Sequence, residues 1–481
     1  MRFQVVLRYV GFVLLIFAAF MFVSAGIAWY SGPDSSFYPL LLSALLTTLL
    51  GGFPLIFVNR QEQINAKEGY SIVVGSWLVA CIVGMFPYLM WGGEFTLINA
   101  WFESVSGLTT TGASILNDVE ALPRGLSFWR MASAWIGGVG VVMFALLILP
   151  SMGRSKKMLS SVELSAVAKD DFHFRTQRIV QILLLVYLGL TASSMLLLKL
   201  TGMNWFDALT HAMSASATCG FSTKNLSIGA FDSFSVEVIL MVTMIIGGIH
   251  FGLIYSTLMG SRDNIWRSEV TRTYFSFLAV GGLLIALSLW ISDTYPNLWS
   301  SLRHGLFQFV ALTTTSGFST ADTNTWTSFA IIILIFGSIV CACAGSTSGG
   351  LKMNRLILSY KVLVARLKRQ QHPNAIIRVR VDGELQEDEV IYTAMIFVVS
   401  YMLLIFGGTL FNTLFGADLL TGFSAAVACL SNVGPGFGEV GSTATYASQP
   451  SVLKFSSTLL MLFGRLEIFG LVQLFFIKWW R

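Results

Sequence analysis

Ala217-Thr218-Cys219-Gly220-Phe221-Ser222-Thr223 and Thr314-Thr315-Ser316-Gly317-Phe318-Ser319-Thr320 are two versions of one loop. Two further loops share the turn, Thr109-Thr110-Thr111-Gly112 upstream and Ser431-Asn432-Val433-Gly434 downstream, and the glycines are spaced by 108, 97 and 117 residues. The loops lie in the stretches 98–117, 205–223, 303–321 and 418–438, which are apolar but too short or too rich in Gly, Ser and Thr to cross a bilayer. A crossing helix needs roughly 20 apolar residues. A self-similar unit recurring along a chain decides the architecture before any single motif does.

What separates the loops fixes their setting. Nine charge-free runs are long enough to span: 9–33, 35–59, 69–93, 131–153, 179–198, 238–261, 273–292, 323–351 and 390–417. A tenth, 455–477, is apolar except for Arg465 and Glu467. Only 11% of the 481 residues are charged and 55% are hydrophobic, against about 25% charged in soluble domains. That composition excludes a soluble globule, a disordered chain and a nucleic-acid scaffold. Of Cys81, Cys219, Cys341, Cys343 and Cys429 only the lone pair Cys341/Cys343 is closely spaced, so neither a zinc site nor a disulfide framework is indicated. The first run has no small-residue cleavage site and is followed at once by a second, which fits a first span and not a signal peptide.

Lys and Arg give the orientation. With the N-terminus inside and ten crossings, inner segments hold 23 of the 30 basic residues and outer segments six, while acids divide evenly at 12 each. The inner face is then +11 and the outer face −6. The basic excess is a topology signal and predicts no nucleic-acid partner. The same topology puts all four short stretches on the outer side as re-entrant loops, under a negative surface that concentrates cations.

The repeating unit is therefore span, short pore helix, glycine loop, span. The expected fold is an all-α polytopic membrane protein, with four pseudo-symmetric units around one pore and two N-terminal spans. Its divisions are 1–68 for the two-span extension, 69–153, 179–261, 273–351 and 390–481 for the four pore repeats, and 154–178, 262–272 and 352–389 for cytoplasmic segments. Non-helical backbone at membrane depth is tolerated only where it is buried or lines a water-filled path. Four loops about one axis present a ring of backbone carbonyls that replaces a cation's water shell. Glycine suits the turning point because aiming carbonyls inward calls for positive φ. The bland alternative is that these glycines are close-packing points between helices.

On these loops, on Cys343-Ala344-Gly345-Ser346-Thr347-Ser348-Gly349-Gly350-Leu351-Lys352, on Ser431-Asn432-Val433-Gly434-Pro435-Gly436 and on Gly464-Arg465-Leu466-Glu467-Ile468-Phe469, the chain resembles the Trk/Ktr/HKT superfamily of potassium transporters. Within it, the two extra N-terminal spans resemble the bacterial Trk membrane subunit. The resemblance covers nearly the whole chain. It implies a potassium-selective, channel-like subunit for uptake across the bacterial cytoplasmic membrane, with both termini cytoplasmic, no enzymatic activity and no cofactor beyond K+ as the transported ion. The implied selectivity filter is Thr110, Thr111 and Gly112, Thr218, Cys219 and Gly220, Thr315, Ser316 and Gly317, and Asn432, Val433 and Gly434. Backbone carbonyls of the two residues before each glycine would hold the ion. Glycine in all four loops resembles the potassium-selective members, whereas a serine in the first marks sodium-preferring plant relatives. Two departures are His250 in Gly247-Gly248-Ile249-His250-Phe251, where asparagine is expected, and Ser348, which interrupts the glycine run.

Gly345, Ser346, Thr347, Ser348, Gly349 and Gly350 are poor helix formers inside a span, so the helix should unwind there. The resemblance implies an intramembrane loop that obstructs the pore, and the plain alternative is a kink or a late helix end. Arg465, the one basic residue inside a predicted span, costs roughly 3 kcal/mol or more unless it finds acceptors. The freed carbonyls of 345–350 are candidates, and an ion pair with an acid such as Glu467 is the alternative. His250 reads as a buried neutral histidine on an apolar span or, less simply, as a pH sensor. Glu103, Asp207 and Asp418 fall near the starts of the pore helices and read as caps for free amides.

On the inner side, 352–373 should form a basic amphipathic helix. Ile376-Ile377-Arg378-Val379-Arg380-Val381 alternates like a strand and meets Asp382-Gly383, a hairpin signal. The resemblance implies a homodimer and a cytoplasmic nucleotide-binding regulatory subunit docking there, since the chain has no Walker-type phosphate loop of its own. Contact of the basic helix with membrane lipid is the alternative. Two other functions remain to be weighed. A proton- or sodium-coupled alternating-access carrier would use broken helices, but four like loops on one side are not its inverted halves. An intramembrane enzyme would need a nucleophile–base pair or metal spacing, and the spans offer neither.

Overall fold

The computed structural model describes residues 2–59, 65–148, 176–261 and 263–476. The expected cytoplasmic loop 154–178 lies almost wholly outside the described residues, as do Lys478 and Arg481. Helices α1 (Phe3–Tyr30) and α2 (Phe37–Phe57) form the N-terminal pair. They cross at two glycines so closely that a Cβ built on Gly11 would lie 2.5 Å from Gly51 O, the small-residue contact typical of membrane helices. Arg2 pairs with Glu68 at 2.9 Å, and Glu68 closes a capping box with Asn65 at the start of α3 (Ala66–Gly84). Pro87 follows a one-residue break between α3 and α4 (Phe86–Trp91), and the two together make one span, Lys67–Trp91, where 69–93 is expected.

Four short helices then alternate with longer ones. They are α5 (Leu97–Leu108), α8 (Trp205–Ser216), α12 (Leu298–Thr313) and α16 (Leu419–Leu430), and each stops at one of the glycine loops. The longer elements between them are α6 (Arg124–Ile148), α7 (Thr176–Leu200), the pair α9 (Phe234–Gly247) and α10 (Phe251–Leu258), α11 (Glu269–Ile291) and α13 (Ser328–Val340). The inner segment is α14 (Met353–Gln371) with strands β1 (Arg380–Val381) and β2 (Glu384–Leu385). The chain closes with α15 (Asp388–Leu414), α17 (Ser451–Arg465) and α18 (Phe469–Phe476).

Six helices among the described residues are long and apolar enough to cross a membrane, and the α9–α10 pair, bent by 103°, makes a seventh. Three expected spans are broken instead of continuous. Span 238–261 breaks at 248–250, span 323–351 ends at Val340, and span 455–477 breaks at 466–468, where Glu467 and Ile468 both have positive φ. The strand expected over 376–381 shrinks to two residues on each side of Asp382-Gly383, whose φ values of 51° and 81° suit a two-residue hairpin turn. The expected helix over 352–373 is present as α14, with Arg366, Lys368 and Arg369 exposed.

A ring of four glycine loops above a broken helix

The four loops have one construction. Each short helix begins at a capping side chain in extended geometry: Thr96, Asn204, Asn297 and Asp418 accept from backbone N–H groups one turn on. Each ends by the same double bond. Thr111 N–H donates to Ser106 O and Thr110 N–H to Gly107 O, and the matching pairs are Cys219–Ser214 and Thr218–Ala215, Ser316–Ala311 and Thr315–Leu312, and Val433–Ala428 and Asn432–Cys429. This is the Schellman arrangement, which needs a left-handed residue just past the helix. Thr110, Thr218, Thr315 and Asn432 take that place with φ of 54°, 52°, 59° and 57°. Gly112, Gly220, Gly317 and Gly434 are left-handed as well, at 78°, 85°, 69° and 97°, as the turning-point argument expects.

The loops meet in cyclic order. A Cβ built on Gly112 would lie 1.8 Å from Cys219 O, on Gly220 1.7 Å from Ser316 O, on Gly317 2.2 Å from Val433 O, and on Gly434 2.4 Å from Thr111 O. Loop one therefore abuts loop two, two abuts three, three abuts four, and four returns to one. Every glycine is obligatory on two counts, its left-handed φ and a neighbouring carbonyl where a side chain would stand. The carbonyls of Thr110, Thr111, Thr218, Cys219, Thr315, Ser316, Asn432 and Val433 receive no hydrogen bond from any described residue. Buried carbonyls are seldom left unpaired, so eight in one ring mark a place that accepts from something other than protein. The C-terminal, negative ends of four helix dipoles point at it, which favours a cation.

Below the ring, residues 341–352 are non-helical. The break begins at Cys341, earlier than the expected 345, and Cys341, Gly345, Gly350 and Lys352 all have positive φ. Its backbone pairs with the break between α9 and α10. Cys343 N–H donates to Gly248 O at 3.0 Å, Thr347 N–H to Gly247 O at 3.3 Å, and Phe251 N–H to Gly345 O at 3.2 Å. Two broken spans thus satisfy each other at membrane depth, where water does not. His250 lies at that break, not within a helix. Its Nδ1 accepts from Gly252 N–H at 3.0 Å, and its ring stands where a Cβ on Gly345 would go.

The loop touches the ring. Gly349 N–H donates to Thr315 Oγ1 at 3.1 Å, Thr347 Oγ1 lies 3.3 Å from Thr218 Oγ1, and a Cβ on Gly349 would stand 2.4 Å from Ser431 O. Arg465, buried, donates through Nη1 to Thr347 O at 2.7 Å and through Nη2 to Gly137 O on α6 at 2.9 Å. Ser346 and Ser348 hydroxyls bond each other at 2.7 Å. Glu467 does not pair with Arg465. Its carboxylate holds Lys352 at 2.5 Å and Arg355 at 2.6 Å, fastening the start of α14 to the α17–α18 break.

Sequence reasoning misassigned or missed several residues. Glu103 caps nothing and lies mid-helix in α5, where it accepts from Arg130 Nε at 2.6 Å. Arg130 is a second buried basic residue inside a long helix, overlooked because the charge-free run was begun at 131. Asp207 follows the cap Asn204 and accepts from Thr223 Oγ1 at 2.7 Å, whereas Asp418 is a cap as expected. On the inner side, Asp382 accepts from Glu269 N–H at the start of α11 at 2.5 Å, and burial raises its carboxyl above the usual range.

Comparison with known proteins agrees with this architecture. A family model described as cation transport protein, TrkH, matches residues 41–287 and 294–479. The chain is 33% identical to the Trk system potassium uptake protein TrkH of Salmonella typhimurium, with all of both chains covered. It is 29% identical to the Trk system potassium uptake protein TrkG of Escherichia coli, over 99% of each. The crystal structure of the potassium transporter TrkH from Vibrio parahaemolyticus superposes with a TM-score of 0.90 at 30% identity, covering 100% of each chain. A multi-pass helical membrane protein with this sequence match and this fold belongs to the TrkH family of cation transport proteins.

Proposed function

We propose that the chain is the potassium-conducting subunit of a bacterial uptake system, with the four loops as its selectivity filter. Membership in a transporter family makes it a transport protein and not an enzyme. The observation that carries the reading is the closed ring, in which four glycine loops abut in cyclic order at four helix C-termini and eight of their carbonyls receive no hydrogen bond from a described residue. Relatives named as potassium uptake proteins support K+ as the ion. The filter residues are those named from the sequence, Thr110 to Gly112, Thr218 to Gly220, Thr315 to Gly317 and Asn432 to Gly434.

The segment Gly345 to Gly350, with Arg465, is the gate. It lies against the ring, and a guanidinium beneath a cation path repels cations. The basic helix α14 and the hairpin receive a nucleotide-binding regulatory subunit, and the chain works as a homodimer in the cytoplasmic membrane with both termini inside. The division of the chain into a two-span extension and four repeats follows the same reading.

The test is flux in liposomes containing the purified chain, driven first by a potassium and then by a sodium gradient. Potassium flux without a coupling ion, and loss of selectivity in Gly112→Ser and Gly434→Ser, is the expected result. Flux that requires a proton or sodium gradient would replace this reading with a coupled carrier.

A further inference from the structure

Nine residues before each loop glycine, the short helices carry Glu103, His211, Gln308 and Ala425. All four are buried. The first three reach across to the segment leaving their own loop. Glu103 accepts from Ser114 Oγ at 3.1 Å and from Ile115 N–H at 3.1 Å. His211 Nε2 lies 2.9 Å from Ser222 Oγ, and Gln308 Nε2 donates to Ala321 O at 3.4 Å. Ala425 has nothing to reach with, and its loop is pinned instead through Ser424, which accepts from Phe437 N–H at 2.8 Å. The ring's backbone repeats four times, but its bracing does not.

The brace on loops one and two is ionic. Arg130 Nε donates to Glu103 Oε1 at 2.6 Å, with the two side chains 3% and 0% exposed. Its Nη1 donates to Ser222 O at 3.1 Å, and its guanidinium carbon stands 3.5 Å from the ring centroid of Phe221, the residue after Gly220. One planar fork therefore grips loop one through Glu103 and loop two directly. It spans the seam at which Gly112 abuts Cys219 O.

Desolvating two charges costs several kcal/mol per ion, and an apolar pair of similar volume is often as stable. Stability alone does not explain the pair. What an apolar pair lacks is direction, because a guanidinium fixes two partners in one plane. Selectivity among cations depends on where carbonyls stand and how freely they move.

We propose that Glu103 and Arg130 are positioning residues for ion selectivity, an ion pair that sets the spacing of loops one and two. This rests on the reading of the ring as a potassium filter. Phe221 and Ser222 cannot drift while the guanidinium holds them, so the carbonyls of Thr218 and Cys219 stay in register with those of Thr110 and Thr111. The other seams of the ring have no buried ion pair among the described residues.

The experiment compares potassium and sodium permeability of the reconstituted full chain with Arg130→Lys, Glu103→Gln and the control Arg303→Lys. Arg303, in the first half of α12, pairs with Glu237 at 2.8 Å and with Asp232 at 3.2 Å, and neither partner belongs to one of the four loops. Arg130→Lys keeps the charge opposite Glu103 but gives up the second arm and the planar stack. Its potassium-over-sodium ratio should fall on the order of tenfold, the loss of one charged hydrogen bond, and Glu103→Gln should fall at least as far. Arg303→Lys should match the wild type. If Glu103→Gln does not assemble, Arg130→Lys alone carries the test. A properly assembled Arg130→Lys protein with unchanged ratio overturns the proposal, even if total flux drops. An equal fall in Arg303→Lys also overturns it. A wild-type chain that does not discriminate potassium from sodium would instead overturn the filter reading itself.

Discussion

A threonine in the left-handed region is an outlier, because its branched Cβ crowds the following carbonyl. Three of them in register, Thr110, Thr218 and Thr315, cost about 1–3 kcal/mol each. The strain persists because the Schellman bonds and the packed ring over-determine the turn. The left-handed loop glycines were legible in the sequence, since their repetition and the need for positive φ both point to them. The strained threonines two places earlier were not, because no local preference puts a β-branched residue there and only the closed ring enforces it. Gly349 gives the residue-scale test of the gate. Its own φ is not left-handed, so alanine is permitted by the backbone. The new methyl would stand 2.4 Å from Ser431 O and 2.9 Å from Asn432 Oδ1. Gly349→Ala should push the loop off the ring, breaking the bond from Gly349 N–H to Thr315 Oγ1. Potassium flux of the chain alone should rise several-fold in a liposome assay. Flux at or below the wild-type level would argue that the loop does not close the pore.

At the scale of elements, breaks in helices decide the lower half of the molecule, and composition locates them only partly. Gly345 to Gly350 announced a break. Cys341, Ala342 and Cys343 did not, because the break there is held by pairing with another span, Cys343 with Gly248 and, further along, Thr347 with Gly247 and Gly345 with Phe251. That partner break was itself hidden in a run apolar enough to pass as one helix, and Arg130 sits one residue before a charge-free run, where it reads as a flanking charge. Glu467 joins two such breaks, bonding Lys352 and Arg355 on one side while its own left-handed backbone turns α17 into α18. Arg355 also lies over the Phe397 ring at 3.8 Å. The junction is only partly exposed, so Glu467→Gln, which leaves two cations beside a neutral amide, should lower stability by about 2 kcal/mol. A drop in thermal midpoint in detergent would register that loss. The same variant frees the start of α14 from the α17–α18 break, and flux of the chain alone should increase. A lowered midpoint with unchanged flux would make the junction a structural tie with no part in gating.

At the scale of the whole molecule, the chain's charge is sorted, with +11 expected inside and −6 outside. Eight of the cations expected inside lie in 352–380, on α14 and beside the hairpin. Besides the Glu467 junction, that inner assembly is tied to the start of α11 at two points. Lys361 bonds Glu269 at 2.5 Å, and Asp382 accepts from the start of α11. A force applied to α14 therefore reaches the loop 341–352 directly through Met353, whose N–H bonds Ala342 O at 2.9 Å. Arg366 and Lys368 on this helix are exposed and bonded to no described acid. They are placed to meet an anionic surface, either an acidic face of the regulatory subunit or lipid headgroups. Arg366→Gln with Lys368→Gln separates the two. If a protein face is the partner, the double variant should keep the basal flux of the chain alone in neutral-lipid vesicles. Its half-activating concentration of regulatory subunit should rise on the order of tenfold, roughly 0.7 kcal/mol for each charge removed, as expected of exposed pairs. The shift should also shrink as salt is raised past physiological strength, since exposed charges are screened over about 8 Å there. If headgroups are the partner, activation by the subunit should be unchanged, and what disappears is the difference in flux between anionic and neutral vesicles.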